Sequence, residues 1–412
     1  MIAAFTLASI SGSDAMYIAV FMGPFARGPR DDRPLINYCL EGAVRAAADG
    51  FSLVTFGEQH FNNYEPYCNP LMMGARLSPF LGETYFGTSM CPLPYHNPIM
   101  MAENINVLDQ LLEGRLIVGL SAGRVGFSPD FENFGLDPAH QRAIYAEKYD
   151  ALMRLWGHRP DDGPLRFDGK WVKGGMHGRL MPSSYRAPHP HIMIGTNTDE
   201  TCRRAGVEGN ILSLGPCTLE DAANKFRLFR DGLDEAGYED AFKSERLVKS
   251  MVHHQVVVAS SDDQAWADAE TMGGRNPMLR RDQDGRSMRQ MFEDGVAGRT
   301  DLNPMEAANS RFVQAWFIVG SPDSVTEQLL AHKRAGIAQV LTRFTVGVYN
   351  PPMWDASYGL FVEQCMPNLA PERFNPPSEV RAAVAAGPLP IGPSGSFGAP
   401  GTGMPNLQPA RS

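Results

Sequence analysis

Residues 87–135, GTSMCPLPYHNPIMMAENINVLDQLLEGRLIVGLSAGRVGFSPDFENFG, limit the possible folds more than any other stretch of the chain. They read as strand, loop, helix, strand and loop. Residues 84–91 are short, apolar and β-favouring, and Pro92 and Pro94 stop them. Asn97 is placed to cap a helix that has Pro98 at its first position. Ile99, Met100, Ile105, Leu108, Leu111 and Leu112 then recur at helical spacing until Gly114. Residues 116–120 form an unbroken apolar run, as a strand buried on both faces of a parallel sheet requires. Ser121, Ala122, Gly123 and Arg124 follow at once: small residues and one cation, suited to close backbone approach to an anion. The unit is strand–helix–strand with a candidate site at its carboxyl end.

The same rhythm runs through the chain. Further strands are expected at 17–22, 51–56, 191–194, 211–214, 247–258 and 340–344. Helices are expected at 34–48, 71–80, 139–156, 219–236 and 322–335, the last capped by Ser321. Eight strands alternating with helices predict an α/β fold, a (β/α)8 TIM barrel, over residues 16–375. A doubly wound sheet is the alternative, weakened because no GxGxxG follows a strand. Residues 1–15 read as an extension, 158–187 as a polar excursion, and 376–412 as a Pro- and Gly-rich tail. Residues 271–311, after strand seven, are long and polar for a connection and read either as a lid or as disorder.

Charge and cysteine content exclude several functions. Lys+Arg number 37 against 46 Asp+Glu, a net charge of −9, with no basic patch among aromatics, so no nucleic-acid or membrane partner is expected. The apolar runs are too short to span a bilayer. Six scattered cysteines without a CxxC pair argue for reduced thiols in the cytoplasm, and against a disulfide framework or a zinc site. The first residues lack the basic region of a secretory signal.

Candidate chemistry gathers at expected strand ends, where barrels place their sites. Glu58, Gln59, His60 and Phe61 follow strand two; Glu58 and His60, two apart on extended backbone, share a side. They form either a polar pair at the mouth, with His60 as proton shuttle, or a structural pair fixing the loop. Ser121, Gly123 and Arg124 suit a phosphate or form a tight turn with a solvated arginine. Gly195 and Thr196, with Thr201 in the next helix's first turn, offer a second anion site or ordinary capping. Of His253 and His254, inside a strand, one ring is expected to face the core and the other the helices. His189 and His191 read as loop and core residues. Met72, Met73, Met90, Met100 and Met101 read as core filling, with Met90 placed to line an apolar pocket. No nucleophile elbow or P-loop is present.

GEQHF followed by NPL, then GTSMCPLPYHNP, AENINVLDQLLEGRLIVGLSAG, DFENFG, PHPHIMIGTNTDET and VGSPDSVTEQLLAHKRAGIAQVLTRF stand in one order over residues 16–374. In this the sequence resembles the bacterial luciferase-like flavin monooxygenases. The resemblance implies a TIM barrel with flavin at its carboxyl mouth and a lid after strand seven. Ser89 and Met90 match the family's strand-three bulge with a non-prolyl cis peptide beneath the flavin ring. Gly195, Thr196 and Thr201 match positions holding the FMN phosphate, and Ser121 matches the reactive cysteine of bacterial luciferase. Two departures stand out. Gln59 replaces the luciferases' catalytic histidine, which points away from light emission. Ala122 replaces a phosphate-binding arginine, for which Arg124 is the candidate substitute.

The function so implied is a two-component monooxygenase. A separate NAD(P)H:flavin reductase would supply reduced FMN, and O2 would add to it as a hydroperoxide. An apolar organic substrate would then be hydroxylated or receive oxygen beside a carbonyl. His60, Gln59 and Glu58 would stand near the reacting centre, Phe61 and Met90 would shape the pocket, no metal would take part, and the chain would form a homodimer through the helices after strands two and three. A deazaflavin-dependent oxidoreductase and a non-catalytic flavin-binding protein are the alternatives.

Overall fold

The structure, a computed structural model, describes residues 16–125, 129–273 and 285–369. The expected extension 1–15 and tail 376–412 lie outside the described residues. Among the described residues there are eleven strands: β1 (Tyr17–Phe21), β2 (Leu53–Phe56), β3 (Tyr85–Pro92), β4 (Leu116–Ser121), β5 (Leu165–Asp168), β6 (Lys173–Met176), β7 (His191–Gly195), β8 (Ile211–Leu214), β9 (Met251–Val258), β10 (Phe317–Gly320) and β11 (Gln339–Arg343). β1, β2, β3, β4, β7, β8, β9 and β11 pair in parallel in that order, and β11 returns to β1. That closes an eight-stranded parallel barrel, the expected fold.

The helices are α1 (Asp32–Ala48), α2 (Pro70–Leu77), α3 (Pro98–Leu111), α4 (Asp130–Asn133), α5 (Gln141–Gly157), α6 (Asp199–Val207), α7 (Leu219–Glu235), α8 (Asp240–Lys249), α9 (Asp262–Gly273), α10 (Met288–Val296), α11 (Pro304–Trp316), α12 (Pro322–Arg334) and α13 (Pro351–Leu360). One device starts the helices after β2 and β3. Asn69 and Asn97 each accept from two first-turn amides, and a proline follows each where no amide is needed.

Two apolar layers hold the barrel. Outward side chains such as Val54, Phe86, Val118, Leu212 and Val340 pack under the helices. Inward ones, Ala19, Phe21, Leu53, Ile117, Met193, Ile211, Met251 and Leu341, fill the interior. Polar groups inside this ring therefore gather above the filled layer, at the carboxyl mouth.

The structure refines several of these expectations. Strand seven begins at Met251 and not at 247, because α8 continues through Lys249. The 158–187 excursion carries the antiparallel hairpin β5–β6. β10 is an additional strand: Gln255 of β9 stands opposite both Arg343 and Phe317, so β10 takes the β9 edge that β8 uses lower down. The 271–311 stretch, where described, is largely helical: Ser287 caps α10, and an Asn303–Glu306 capping box starts α11. Residues 274–284 of the expected lid lie outside the described residues. Of the methionines read as core filling, Met73 and Met101 are buried, whereas Met72 and Met100 are 71% and 63% exposed.

Candidate active site

The β2–α2 loop carries the first polar constellation. Glu58 is buried, and its Oε1 accepts from His60 Nε2 at 2.9 Å and from His96 Nε2 at 2.7 Å. Burial alone would raise the Glu58 carboxyl, but the two histidine hydrogen bonds outweigh it and hold the group below its ordinary value. A carboxylate oxygen that only accepts obliges both rings to donate from Nε2. Each Nδ1 is then left as the atom able to take up or release a proton.

His96 was not singled out in the sequence, where HNP pointed to Asn97 and Pro98 as a helix start. It reaches Glu58 because β2 and β3 are neighbours in register, Phe56 opposite Thr88, so their carboxyl loops emerge side by side. Buried Lys148 of α5 fixes this loop from below, donating to the carbonyls of Pro94 at 2.5 Å and His96 at 2.8 Å. Burial lowers the pKa of that ammonium. Around His60 stand Tyr95 and Phe134 edge-on, at ring distances of 5.9 and 4.9 Å, and Phe61 at 5.9 Å. Phe61 is 69% exposed at the rim. Gln59 is half-buried, between the carboxylate and the histidine in sequence. Among the described residues four non-glycine residues have positive φ, and three of them, Phe61, Glu65 and Cys68, sit in this loop. Such backbone concentrates where side chains must be aimed.

β3 supplies the floor. The β3–β4 register passes from Thr88–Val118 to Cys91–Leu120, so Ser89 and Met90 together face Gly119. This bulge and the cis Ser89–Met90 peptide stand where the family resemblance placed them. The bulge takes ladder partners from Gly119, and the Thr88 hydroxyl replaces both: it accepts from Gly119 N at 2.8 Å and donates to Gly119 O at 3.1 Å. Met90 turns into the mouth. A Cβ built at Gly195 would meet its methyl at 2.8 Å, so Gly195 is needed to admit Met90 beside it.

β4 and β7 are adjacent, Leu120 opposite Ile194, so the loops from Ser121 and Gly195 leave the barrel together. Gly123 N donates to Ser121 Oγ at 3.3 Å, and Gln141 of α5 holds Gly123 O at 2.7 Å. Arg124 is exposed, and its charge is felt at Tyr64, Glu65 and His253, so it leans over the mouth. At the start of α6 three hydroxyls form a chain. Thr196 Oγ1 lies 3.3 Å from Thr198 Oγ1, which donates to Thr201 Oγ1 at 2.8 Å. Thr198, a further residue the sequence reading passed over, makes no capping bond to the helix. The first-turn amides of α6 thus keep their donor capacity, as an anion site needs.

Ser89, Met90, Ser121, Gly195 and His253 all retain solvent exposure although each sits on a central barrel strand. They outline an open mouth. The residues present fit a flavin mononucleotide there: hydroxyls and free amides for a phosphate at one side, and an apolar floor at Met90. Among the described residues no group of three or more His, Cys, Asp or Glu is arranged to hold a metal, and no helix is long and apolar enough to cross a membrane.

Known proteins share this architecture. Residues 16–339 match the family model of luciferase-like monooxygenases. The chain is 30% identical over 257 residues to limonene 1,2-monooxygenase of Rhodococcus erythropolis; the match covers 60% of this chain and 62% of that protein, about three fifths of its length. Among solved structures, the oxygenating constituent of 3,6-diketocamphane monooxygenase from Pseudomonas putida, a type II Baeyer–Villiger enzyme in complex with FMN, superposes with a TM-score of 0.67. It is 22% identical, covering 86% of this chain and 98% of that one. An F420-dependent secondary alcohol dehydrogenase gives a TM-score of 0.60 at 16% identity, covering 86% and 99%. With a family match over residues 16–339, most of its length, the chain belongs to the luciferase-like monooxygenase family.

Proposed function

We propose that the protein is a flavin-dependent monooxygenase that takes reduced FMN from a separate NAD(P)H:flavin reductase and uses O2 to oxygenate an apolar organic substrate. The observation that carries this reading is the Glu58–His60–His96 group, which faces the same mouth as the Thr196–Thr198–Thr201 hydroxyls and the Met90 floor. When bound, reduced flavin supplies the reaction with oxygen.

The remaining work falls to the chain. Thr196, Thr198, Thr201 and the α6 amides hold the phosphate, with Ser121, Gly123 and Arg124 on the neighbouring loop. Met90 and Ser89 support the ring. Glu58 fixes the orientation of both imidazoles, so that Nδ1 of His60 or His96 can pass a proton at the reacting centre. Tyr95, Phe131 and Phe134 line that centre with aromatic surface that limits water, and Phe61 extends it at the exposed rim. Oxygen consumption is thereby tied to substrate oxidation rather than to peroxide release.

A second copy of the chain is the partner we assign to α2 and α3. Met72, Met100, Val107 and Leu111 give these helices an exposed apolar face. The assignment of the phosphate site is tested by FMN titration. Thr201→Ala and Arg124→Ala are each expected to weaken binding about 5- to 20-fold, as loss of one charged or helix-terminal hydrogen bond does. Unchanged affinity in both variants removes the phosphate from this place.

A further inference from the structure

Three neighbouring strands bring Phe21, His253 and Arg343 to the top of the filled interior. Phe21 of β1 and Arg343 of β11 each stand two residues past the paired interior residues Ala19 and Leu341, and His253 of β9 lies opposite Leu341. Arg343 is 3% exposed. Its Nε donates to Thr345 O at 3.2 Å, and its Nη1 donates to Tyr64 Oη at 3.1 Å. Nη2 is buried and has no partner among the described residues. The guanidinium lies 5.1 Å from the Tyr64 ring, 5.6 Å from Phe25 and 5.9 Å from Phe21. His253 stands edge-on to Phe21 at 5.4 Å, and its Nε2 is likewise buried and unpartnered.

This is an unusual balance for a buried cation. Guanidinium stays charged at all working pH, and an unmet buried N–H is costly. Glu65, whose carboxyl feels Arg343, offers little counter-charge at neutral pH, because burial raises it to about 8 against the opposing fields of Arg343 and Arg124. His253 stays neutral, pushed down to about 3 by burial first and by the same two arginines second. The surrounding surface is aromatic. The arrangement lacks one thing, an oxygen that accepts from Nη2 while its carbon skeleton lies against Phe21, Phe25 and Tyr64.

β11 and β9 lie across the ring from β4 and β3, so this corner faces the floor and phosphate sides rather than adjoining them. We propose that Arg343 Nη2 and His253 Nε2 form a subsite for a carbonyl oxygen of the organic substrate, which makes the substrate an apolar carbonyl compound rather than a plain hydrocarbon. The proposal rests on the flavin-dependent reading above and sharpens it. His253 can donate to the same oxygen in its Nε2–H tautomer.

The test uses three probes on one carbon skeleton, the hydrocarbon limonene, the ketone carvone and the carboxylic acid perillic acid, titrated calorimetrically into the full chain with and without oxidised FMN. A buried site that loses its hydrogen-bond partner rejects the analogue strongly, so carvone or perillic acid should bind at least 10-fold tighter than limonene. The tighter of the two identifies a neutral or an anionic carbonyl. Arg343→Gln should bring the three within about 2-fold and leave FMN affinity unchanged. Wild-type protein that does not prefer either carbonyl probe overturns the subsite, and needs no variant to fold. A parallel loss of FMN affinity in Arg343→Gln also overturns it, since Nη2 would then serve the cofactor. Failure of the wild type to bind FMN defeats the broader reading, whereas FMN binding without carbonyl preference defeats only this one.

Discussion

Glu58→Gln is expected to lower the rate of substrate oxygenation about 100-fold while leaving FMN affinity within about 3-fold of wild type. Glu58 Oε1 receives two N–H donors, at 2.9 and 2.7 Å, inside a buried pocket. Hydrogen bonds to an ionised acceptor are worth about 1.5–3 kcal/mol each, and the amide does not keep the charge. Its amide oxygen can still take the Oε1 place and accept from both imidazole N–H groups, but without the charge, so both rings are held more weakly. Oxygen should still be consumed, with hydrogen peroxide replacing product. The measurement is product formed and peroxide released per O2 consumed. His60→Ala and His96→Ala should show the same leak, and the double variant should cost less than the sum, because the two rings share one acceptor. Full coupling in Glu58→Gln would reduce the group to a loop brace.

Gly119→Ala is expected to cost about 3 kcal/mol of stability or more, well beyond the usual price of a single added methyl. A Cβ at Gly119 would collide with the Thr88 carbonyl oxygen and the Met90 sulfur, and would lie 2.9 Å from the Met193 methyl. The oxygen is backbone, held by the hydroxyl bridge that replaces the missing ladder bonds. Relief therefore requires parting β3 from β4 at the bulge. Denaturant unfolding measures the loss, and FMN titration of the surviving folded fraction should show weakened binding because the floor has moved. As a control, Gly135→Ala meets nothing within 4 Å, although its positive φ adds a modest strain. Equal stability of the two variants would mean that the bulge yields freely.

The barrel was legible because its strands are short apolar runs separated by helices with clear caps. Asn97–Pro98 and Ser321–Pro322 mark real helix starts. β10 escaped notice because Phe317–Gly320 follows the apolar end of α11 with no turn between. α10 and α11 were hidden by Arg, Asp and glycine, although Asn303-Pro304-Met305-Glu306 spelled a capping box that could have revealed the second. For the site, residue spacing brought Glu58 to His60 but could not bring His96, 38 positions away, because that contact depends on strand order. His253 and His254 divide as their alternation required. His253 faces the mouth, and His254 faces outward to His332, 3.0 Å between Nε2 atoms. Arg343 gave no signal, since the lack of a partner shows only once its neighbours are in place.

The central claim is that this mouth governs how reduced flavin meets oxygen. The most direct measurement mixes the protein and reduced FMN rapidly with oxygenated buffer and follows the flavin absorbance. The account predicts that oxidised flavin reappears more slowly than from free reduced FMN, after a phase whose spectrum is neither reduced nor oxidised. A trace superimposable on that of free flavin would contradict it, and the same experiment with the deazaflavin coenzyme would then be the one to run.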